Sequence, residues 1–348
     1  MFRFTSLRYV LLALAVMGLF GVPDVSAQFS GAGAGTKDDP YKIYNPAQLN
    51  QVRNYTGKTD VYFTLGADID LTSWISSNSP EQGWNPIGTD ANPFKGTFSG
   101  NGHTIKGMSI SRGTTSNVGF FGVASDATIS NLTIEGSANG GNNVGILAGN
   151  FTGTIENCRA KGTVNGSSDC VGGLVGKSGN SDIKTCRADV TVKGADYVGG
   201  LIGYVLAGGT SSDKTIDNCF ASGTVDGRSN VGGLIGAMDV RAFAKLRTDV
   251  GSYNYYYWYV TAPYKYMISN CGVKSSIFAS SSVGGLIGQT LGLIYTYELA
   301  IIYWTSDYTE PKNYTFSNEK AVKCVNVNGC FALAQINTQD SDCGGIIG

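Results

Sequence analysis

The sequence predicts an all-β fold: a parallel β-helix (β-solenoid) of coils about 27 residues long, with a short N-terminal helical cap and two aromatic-rich insertions. Two recurring sequence blocks and an unusual composition indicate this fold. Glycine supplies 49 of the 348 residues, about twice its usual share of about 7%. Charged residues make up only 15%, whereas about 25% is typical. Such a composition favours flat strands and tight turns over solvated helices.

A glycine-aliphatic hexapeptide recurs from residue 118 to the end of the chain. Identical copies, VGGLIG, begin at Val198, Val231 and Val283. Degenerate copies begin at Val118, Val144, Val171 and Cys343. Successive starts are 26, 27, 27, 33, 52 and 60 residues apart, so a unit of about 27 residues is lengthened in its last three intervals. The identical copies contain no charged or nucleophilic side chain, which favours a structural role over a catalytic or phosphate-binding loop.

A second block lies 12 or 13 residues before each hexapeptide after the first. It reads, for example, TIENCRA from Thr154 and TIDNCFA from Thr215. Alternating apolar positions in this block lie on one face of a strand. A unit this short cannot bury its apolar face alone, so successive units are expected to stack about 4.8 Å apart. One position of the block, called the ladder position, holds Leu132, Cys158, Cys186, Cys219, Cys271 or Cys330.

These blocks, with the N-terminal stretches DPYKIYNPAQLNQV, FTLGADIDL, WNPIG and FKGTFSGNGHTI, resemble the GLUG-repeat proteins. The resemblance covers nearly everything from about Thr36 to the end, apart from the insertions. It implies a secreted or surface protein with a β-helical stalk, commonly from Bacteroidetes-like bacteria. It does not imply one biochemical activity.

Residues 1–27 are predicted to form a secretory signal peptide. Arg3 and Arg8 give a basic start, Tyr9 to Phe20 is an apolar run, and Val25 to Ala27 offers a cleavage site. The run is shorter than the about 18 apolar residues that span a bilayer, although a retained anchor helix is the alternative. We therefore expect a chain without a retained membrane span, secreted or at the cell surface, in an oxidising compartment.

Two segments follow the signal peptide. Residues 28–117 are predicted to form the cap and irregular first coils, and 118–348 the repeats, with insertions at about 237–267 and 289–323. The chain ends inside a hexapeptide. We therefore expect Cys343 to Gly348 to form an exposed strand edge, either because the chain is a fragment or truncated reading frame, or because another subunit covers it.

The cap is predicted from a helix-start signal. Asn45, followed by Pro46 and by Gln48, gives a capping-box-like start for a short helix through about Tyr55. Such a helix would cover the open first coil of a solenoid. Strands are expected at Val61 to Leu65 and, as one segment, at Thr97 to Ile105.

The charge and the single histidine limit the partners and cofactors. A formal charge of −1 argues against nucleic acid, which needs a basic face. His103 is the one imidazole in the chain, and no CxxC spacing occurs, so we expect no zinc, no other metal and no cofactor. Asp68 and Asp70 could serve a glycosidase or a calcium-dependent lyase. Because they lack a neighbouring Lys or Arg in the sequence, a turn or ladder role is favoured.

The cysteines allow two interpretations. Eight cysteines in an exported chain favour disulfides, and stacking could bridge pairs such as Cys158 and Cys186. Five of them share the ladder position with a leucine, however, which favours buried free thiols. The polar residues before each hexapeptide are interpreted as turn formers, with a calcium-binding row as the alternative; they are Asn142, Asp169, Asp196, Ser229, Ser281 and Ser341.

The two insertions carry the candidate ligand-binding residues. They are rich in tyrosine and tryptophan, which offer large, stiff contact surfaces at little entropic cost. Because both leave the solenoid at one repeat position, we expect them to lie side by side. The alternative is that their rings pack on one another or on the solenoid. The candidates are Tyr255, Tyr257, Trp258, Tyr297 and Trp304, from a wider aromatic set that extends to Tyr266.

The function expected from the sequence is that of a non-enzymatic, adhesin-like binding protein. Its partner would be an extracellular glycan or protein. A carbohydrate-active enzyme, either a polysaccharide lyase or a glycosidase, and a structural stalk are the alternatives.

Overall fold

The computed structural model describes residues 28–206, 213–239, 244–250, 254–260, 266–291, 297–298, 301–303, 313–314, 317–318, 325–338, 343–344 and 347. For the strands between 244 and 260 and between 297 and 326, only the backbone is described. The predicted signal peptide lies outside these residues. Three parallel sheets, called walls A, B and C, form the fold, together with two small antiparallel sheets. The chain is a parallel β-helix, as the sequence predicts.

Each wall collects segments from successive coils. Wall A comprises Tyr41–Ile43, Tyr62–Leu65, Thr97–Ser99, Phe121–Ser130, Ala148–Glu156, Val175–Lys184, Ile202–Leu206, Lys214–Asp217, Ile235–Asp239, Tyr266–Ser269, Ile287–Leu291 and Val325–Asn328. Wall B comprises Ile69–Asp70, Thr104–Ser111, Thr133–Gly140, Arg159–Gly166, Arg187–Lys193, Phe220–Asp226, Gly272–Ala279 and Phe331–Thr338. Wall C comprises Val171–Gly172, Asp196–Gly199, Ser229–Gly232, Ser281–Gly284 and Cys343–Gly344.

Equivalent repeat positions pair directly between coils. In wall B, Ala188 is paired with Ala160 on one side and with Ala221 on the other. All three side chains are fully buried, and the residues on either side of each point outward. The alternation expected from the sequence block therefore builds a continuous apolar core along the solenoid.

Two corners of each coil carry a residue in the left-handed backbone region, with φ from 50° to 62°. Asparagine holds most of these positions because it tolerates this conformation better than other non-glycine residues. The asparagines also bond across coils, since Asn157 Nδ2 donates to Asn131 Oδ1 at 2.8 Å. The corner before the ladder position is formed by Asn131, Asn157, Thr185, Asn218, Asn270 and Gly329. The corner before the hexapeptide is formed by Asn117, Asn143, Cys170, Tyr197, Asn230 and Ser282.

The hexapeptide carries the chain from wall C into wall A through a turn that only glycine fits. A Cβ atom on Gly199 would lie 1.9 Å from the carbonyl oxygen of Ile202 within the same turn. A Cβ atom on Gly200 would lie 2.1 Å from the carbonyl oxygen of Gly233 in the next coil. These contacts are with backbone atoms, which cannot move aside. The motif therefore serves the close stacking of turns.

The ladder cysteines form a buried column. Cys158, Cys186, Cys219 and Cys271 are free thiols exposed by 2% or less, and Leu132 at the same position is 1% exposed. Each thiol lies within hydrogen-bonding reach of two carbonyl groups, as Cys219 Sγ does at 3.3 Å from Asp217 O and 3.5 Å from Ile183 O. Cys330, in the last coil, is half-buried and also free. The interpretation as buried free thiols is therefore supported for the described ladder residues.

The N-terminal cap contains two helices. The first, α1 (Pro46–Gln51), continues as a 3-10 turn through Tyr55. Asn45 Oδ1 accepts a hydrogen bond from Gln48 N at 3.0 Å, and Gln48 Oε1 accepts one from Tyr44 N at 2.8 Å, as the capping signal predicts. The second helix, α2 (Thr72–Asn78), was not expected. Within the described residues, neither helix has the length and apolarity needed to cross a membrane.

One predicted strand is wrong in its extent. The segment from Thr97 to Ile105 is divided between wall A, which ends at Ser99, and wall B, which begins at Thr104. Between them the chain turns a corner through Asn101 at φ 51° and Gly102 at φ 81°. The Gly-Asn-Gly sequence is typical of such a turn.

The last described strands pair on one side only. Phe331–Thr338 pairs with Gly272–Ala279, and Cys343–Gly344 pairs with Ser281–Gly284. The positions of Phe331–Thr338 that face the core are only half-buried, whereas their counterparts in earlier coils are covered by the next coil.

We predict that Gly200→Ala lowers the free energy of unfolding by about 2 to 3 kcal/mol, because the methyl group would collide with the backbone of the next coil. The matched control is Gly179→Ala, whose Cβ would lie 2.8 Å from the methyl group of Thr152 and no closer than 3.9 Å to a backbone atom. Chemical denaturation of the three chains measures the difference. Equal destabilisation by the two substitutions would contradict the close-stacking role.

We predict that the buried ladder thiols resist alkylation at pH 8 in the native chain. Burial raises the pKa of Cys186, and hydrogen bonding to the neighbouring ladder thiol raises the pKa values of Cys219 and Cys271. A raised pKa leaves less thiolate, which is the reactive form. Iodoacetamide labelling followed by mass spectrometry checks this, with the denatured chain as control. Equal labelling rates in the native and denatured chains would refute the prediction.

Candidate ligand-binding surface

The insertions leave wall A at one position of the repeat. In the coil of Val175–Lys184 the strand is continuous but has a register shift between Ser178 and Ser181. Register pairing aligns Ser178 with Val205, and Val205 with Met238 and then Thr290 in the later coils. The wall A strand of each later coil ends one residue after this position. The irregular point of the early coils is therefore the point at which the later coils accept extra residues.

The first insertion forms an antiparallel hairpin. Ala244–Val250 pairs with Asn254–Val260 over seven residue pairs, from Ala244 opposite Val260 to Val250 opposite Asn254. Tyr255 is paired with Asp249, and Tyr257 with Arg247. A hairpin of this kind can extend a flat surface beyond the wall from which it leaves.

The second insertion forms a hairpin too. Ile301–Tyr303 pairs with Asn313–Tyr314, and Tyr297–Glu298 pairs with Ser317–Asn318. Both strand pairs keep one antiparallel register. Tyr297 lies opposite Asn318, in the part of this insertion that is nearer in sequence to wall A.

The two insertions join into one sheet. Tyr255 of the first is paired with Tyr303 of the second, and Tyr256 with Ile302. The four strands follow the order Ala244–Val250, Asn254–Val260, Ile301–Tyr303, Asn313–Tyr314. Insertions from two coils therefore lie side by side in a shared antiparallel sheet, called the insertion sheet.

The structure places four of the five candidate aromatic residues on strands. Tyr255, Tyr257 and Trp258 lie on the central strand Asn254–Val260, and Tyr297 lies on the second hairpin. Strand alternation puts positions 255 and 257 on one face of the insertion sheet and position 258 on the other. Trp304 lies outside the described residues. The expectation that these residues contact a ligand remains a prediction.

The first insertion is anchored in wall A at both ends. Asp239, the last wall residue before it, is fully buried and accepts a hydrogen bond from the Tyr204 hydroxyl at 2.8 Å. Tyr266, the first wall residue after it, is 2% exposed, and its hydroxyl accepts a hydrogen bond from Ser181 N at 3.1 Å. Burial raises the pKa of Tyr266 to about 12. The inclusion of Tyr266 among the surface aromatics is therefore wrong, because its ring belongs to the solenoid core.

The candidate catalytic carboxylates are held in a turn. Asp68 Oδ1 accepts a hydrogen bond from Thr104 N at 2.9 Å and lies 3.2 Å from His103 Nδ1. Asp70 lies 3.4 Å from Lys106 Nζ and also accepts a backbone N–H two residues on. The backbone donors contribute most to lowering the pKa values of both carboxyl groups. The expectation that these carboxylates lack a neighbouring lysine is wrong, because wall B pairs Asp70 with Lys106 of the next coil.

The polar residues before the hexapeptides bond to the next coil. Asn142 Oδ1 accepts a hydrogen bond from Asp169 N at 3.0 Å, and Asp169 Oδ1 accepts one from Asp196 N at 3.3 Å. Asp196 forms an ion pair with Arg228. These contacts fit the turn-forming interpretation. Across the part of the chain that the structure describes, no group of three or more His, Cys, Asp or Glu side chains is placed to hold a metal ion.

This chain is a parallel β-helix that carries the GLUG motif, as its stacked coils, its two left-handed corners and its hexapeptide turn define. The sequence pattern described as the GLUG motif matches residues 167–193, which is one coil. This match confirms the resemblance that the recurring blocks indicate.

Two relatives match part of this chain and a small part of their own length. Halomucin of Haloquadratum walsbyi is 40% identical over 149 residues, which is 42% of this chain and 2% of halomucin. A "Putative Gly-rich membrane protein" of Evansella cellulosilytica is 42% identical over 137 residues, which is 38% of this chain and 15% of that protein. The similarity therefore concerns part of this chain and only a small part of either relative.

A solved structure shares the fold. It is a Bacteroides ovatus protein described as a "putative immunoglobulin A1 protease", with a TM-score of 0.59 and 21% sequence identity. The match covers 89% of this chain and 80% of that one. At this identity the likeness concerns the fold alone.

Proposed function

We propose that this chain is a secreted or cell-surface, non-enzymatic binding protein of the adhesin type, and that the insertion sheet binds its ligand, an extracellular glycan or protein. The observation that carries this proposal is the pairing of two aromatic-rich insertions, from different coils, into one sheet. The membrane protein among the relatives and the GLUG motif support the surface location.

The scaffold favours recognition by a presented surface. The walls are held by in-register parallel pairing, and the first insertion begins and ends at fully or nearly buried anchor residues. A rigid base reduces the entropy lost when a surface loop binds a ligand. Tyrosine and tryptophan add large contact area with few rotatable bonds, and aromatic faces suit both sugar rings and protein surfaces.

A carbohydrate-active enzyme is the second candidate, favoured by the grouping of Asp68, Asp70, His103 and Lys106 around one corner. Both carboxylates already accept backbone hydrogen bonds that define the turn, which favours a structural role. A polysaccharide depolymerisation assay separates the candidates. Turnover that is abolished by Asp70→Asn would establish the enzyme in place of the binding protein.

We predict that the full chain binds at least one probe on a glycan array or among immobilised collagen, fibronectin and mucin, and that Tyr255→Ala combined with Tyr257→Ala weakens this binding about tenfold or more. These positions share one face of the insertion sheet. The matched control is Tyr44→Ala, at a ring that is 50% exposed in the cap.

Circular dichroism and thermal melting establish that all variants are folded. Equal binding by the double variant and the control would refute the role of the insertion sheet. Absence of binding to every probe would favour the structural stalk.

A further inference from the structure

A small cavity lined mainly by polar residues lies in the N-terminal region, away from the insertion sheet. It has a volume of about 270 Å³ and is lined by residues from two segments, 85–90 and 112–117. The first segment follows the buried Trp84, and the second joins the wall B strand Thr104–Ser111 to the first hexapeptide. The volume lies just below the roughly 300 Å³ at which ligand pockets usually begin, so only a small ligand, of about one sugar unit, would fit.

Arg112 lines this cavity and lacks the partners that an arginine normally has. Its Nε atom is buried and makes no hydrogen bond, and its guanidinium forms no ion pair with any residue that the structure describes. Burial lowers the pKa of Arg112, which reflects the cost of holding this charge there. A buried donor without a partner is unfavourable, and none of the described residues supplies an anion that balances the guanidinium charge.

A second arginine adds positive charge beside the cavity. Arg53 Nη2 donates to the carbonyl of Asn85, a lining residue, at 2.9 Å, and Arg53 Nε donates to Asn50 Oδ1 at 2.8 Å. Its guanidinium lies 5.3 Å from the ring centroid of Trp84. All of these partners are neutral. Burial, followed by the charge of Arg112, lowers the pKa of Arg53. Two arginines thus share a region in which none of the described residues forms an ion pair with either.

The cavity also has one carboxylate among its lining side chains. Asp90 Oδ2 accepts a hydrogen bond from Asn117 Nδ2 at 2.9 Å, and Asn117 Oδ1 accepts one from Asn143 Nδ2 at 2.8 Å. This chain of bonds fixes the orientation of the Asp90 carboxylate. The lining therefore combines a cationic donor at Arg112 with an anionic acceptor at Asp90.

Backbone hydrogen bonds to the solenoid hold both lining segments. Ile87 N donates to Phe120 O at 3.1 Å, and Val123 N donates to Gly88 O at 3.2 Å. On the other side, Gly141 N donates to Thr115 O at 2.7 Å. A ligand would therefore meet a preformed cavity, which limits the ordering cost of binding.

We propose that this cavity binds an acidic sugar, such as the uronic acid unit of an acidic glycan. The sugar carboxylate accepts hydrogen bonds from Arg112, whose planar fork matches a carboxylate. The sugar hydroxyls donate to Asp90 and bond to the hydroxyls of Thr115 and Ser116. Asp90 disfavours a compact anion such as phosphate, because that ligand brings negative charge and, at neutral pH, few hydroxyl donors. This site is independent of the insertion sheet and of the function proposed for it.

The test uses the full chain and three probes, D-glucuronate, D-glucose and inorganic phosphate, titrated by NMR at low ionic strength. We expect glucuronate to bind at least about tenfold more tightly than either glucose or phosphate. If phosphate binds as tightly as glucuronate, the cavity is a simple anion site and the proposal is overturned. Equal binding of glucose would also overturn it, since the carboxylate would then contribute nothing.

Variants assign the binding to the cavity. Arg112→Gln is expected to weaken glucuronate binding about tenfold or more, whereas the matched control Arg228→Gln, which removes the same charge at an ion pair of another coil, leaves it unchanged. Ser116→Asp, at an exposed lining position, supplies a competing carboxylate without disturbing the core and is also expected to abolish binding. The site would be rejected if a folded Ser116→Asp chain bound glucuronate as tightly as the unaltered chain. It would also be rejected if the Arg112 and Arg228 variants lost affinity equally.

Discussion

The in-register stacking of coils is the constraint on which the rest of this structure depends. The strands of each coil hydrogen-bond to those of the coils beside it, so every repeat position meets its own equivalents above and below. The turns require glycine because the backbone of the next coil fills the space that a side chain would occupy, as at Gly200, which packs against Gly233. The cysteine column follows from the same constraint, because a small apolar side chain at Cys158 must fit beside another at Cys186.

Stacking also explains where the chain can accept inserted residues. A residue in a straight part of a wall is paired on both sides, so an extra residue there would shift every later pair. Near Ser178 the pairing is already irregular, and extra residues at that point leave both flanking ladders intact. Val205, Met238 and Thr290 occupy the equivalent place, and the chain leaves the wall just after each of them. The surface proposed for ligand binding is thus built where the solenoid tolerates growth.

The repeat made most of the fold predictable from the sequence, because its positions map directly onto wall, corner and turn. The helix cap at Asn45 was predictable for a local reason, since its signal lies within four residues. The helix Thr72–Asn78 gives no comparable signal, as its first turn contains no acidic residue and its cap makes no side-chain hydrogen bond. The pairing of Asp70 with Lys106 could not be found without the register of the first coils, where the repeat is not visible. The cavity around Arg112 was missed because its two lining segments come from different coils and share no motif.

The cavity and the insertion sheet are separated along the solenoid axis. Four repeat intervals lie between the hexapeptide at Val118 and the one at Val231, which correspond to roughly 19 Å at the spacing of neighbouring strands. In a solenoid each coil contacts only its neighbours, so a change in one region affects distant coils only through the coils between them. The frame of the cavity therefore does not depend on the insertions, and a chain altered in the insertion sheet keeps the cavity intact. One scaffold can in this way carry two recognition sites of different chemistry, one built from charged and polar groups and one from aromatic strands.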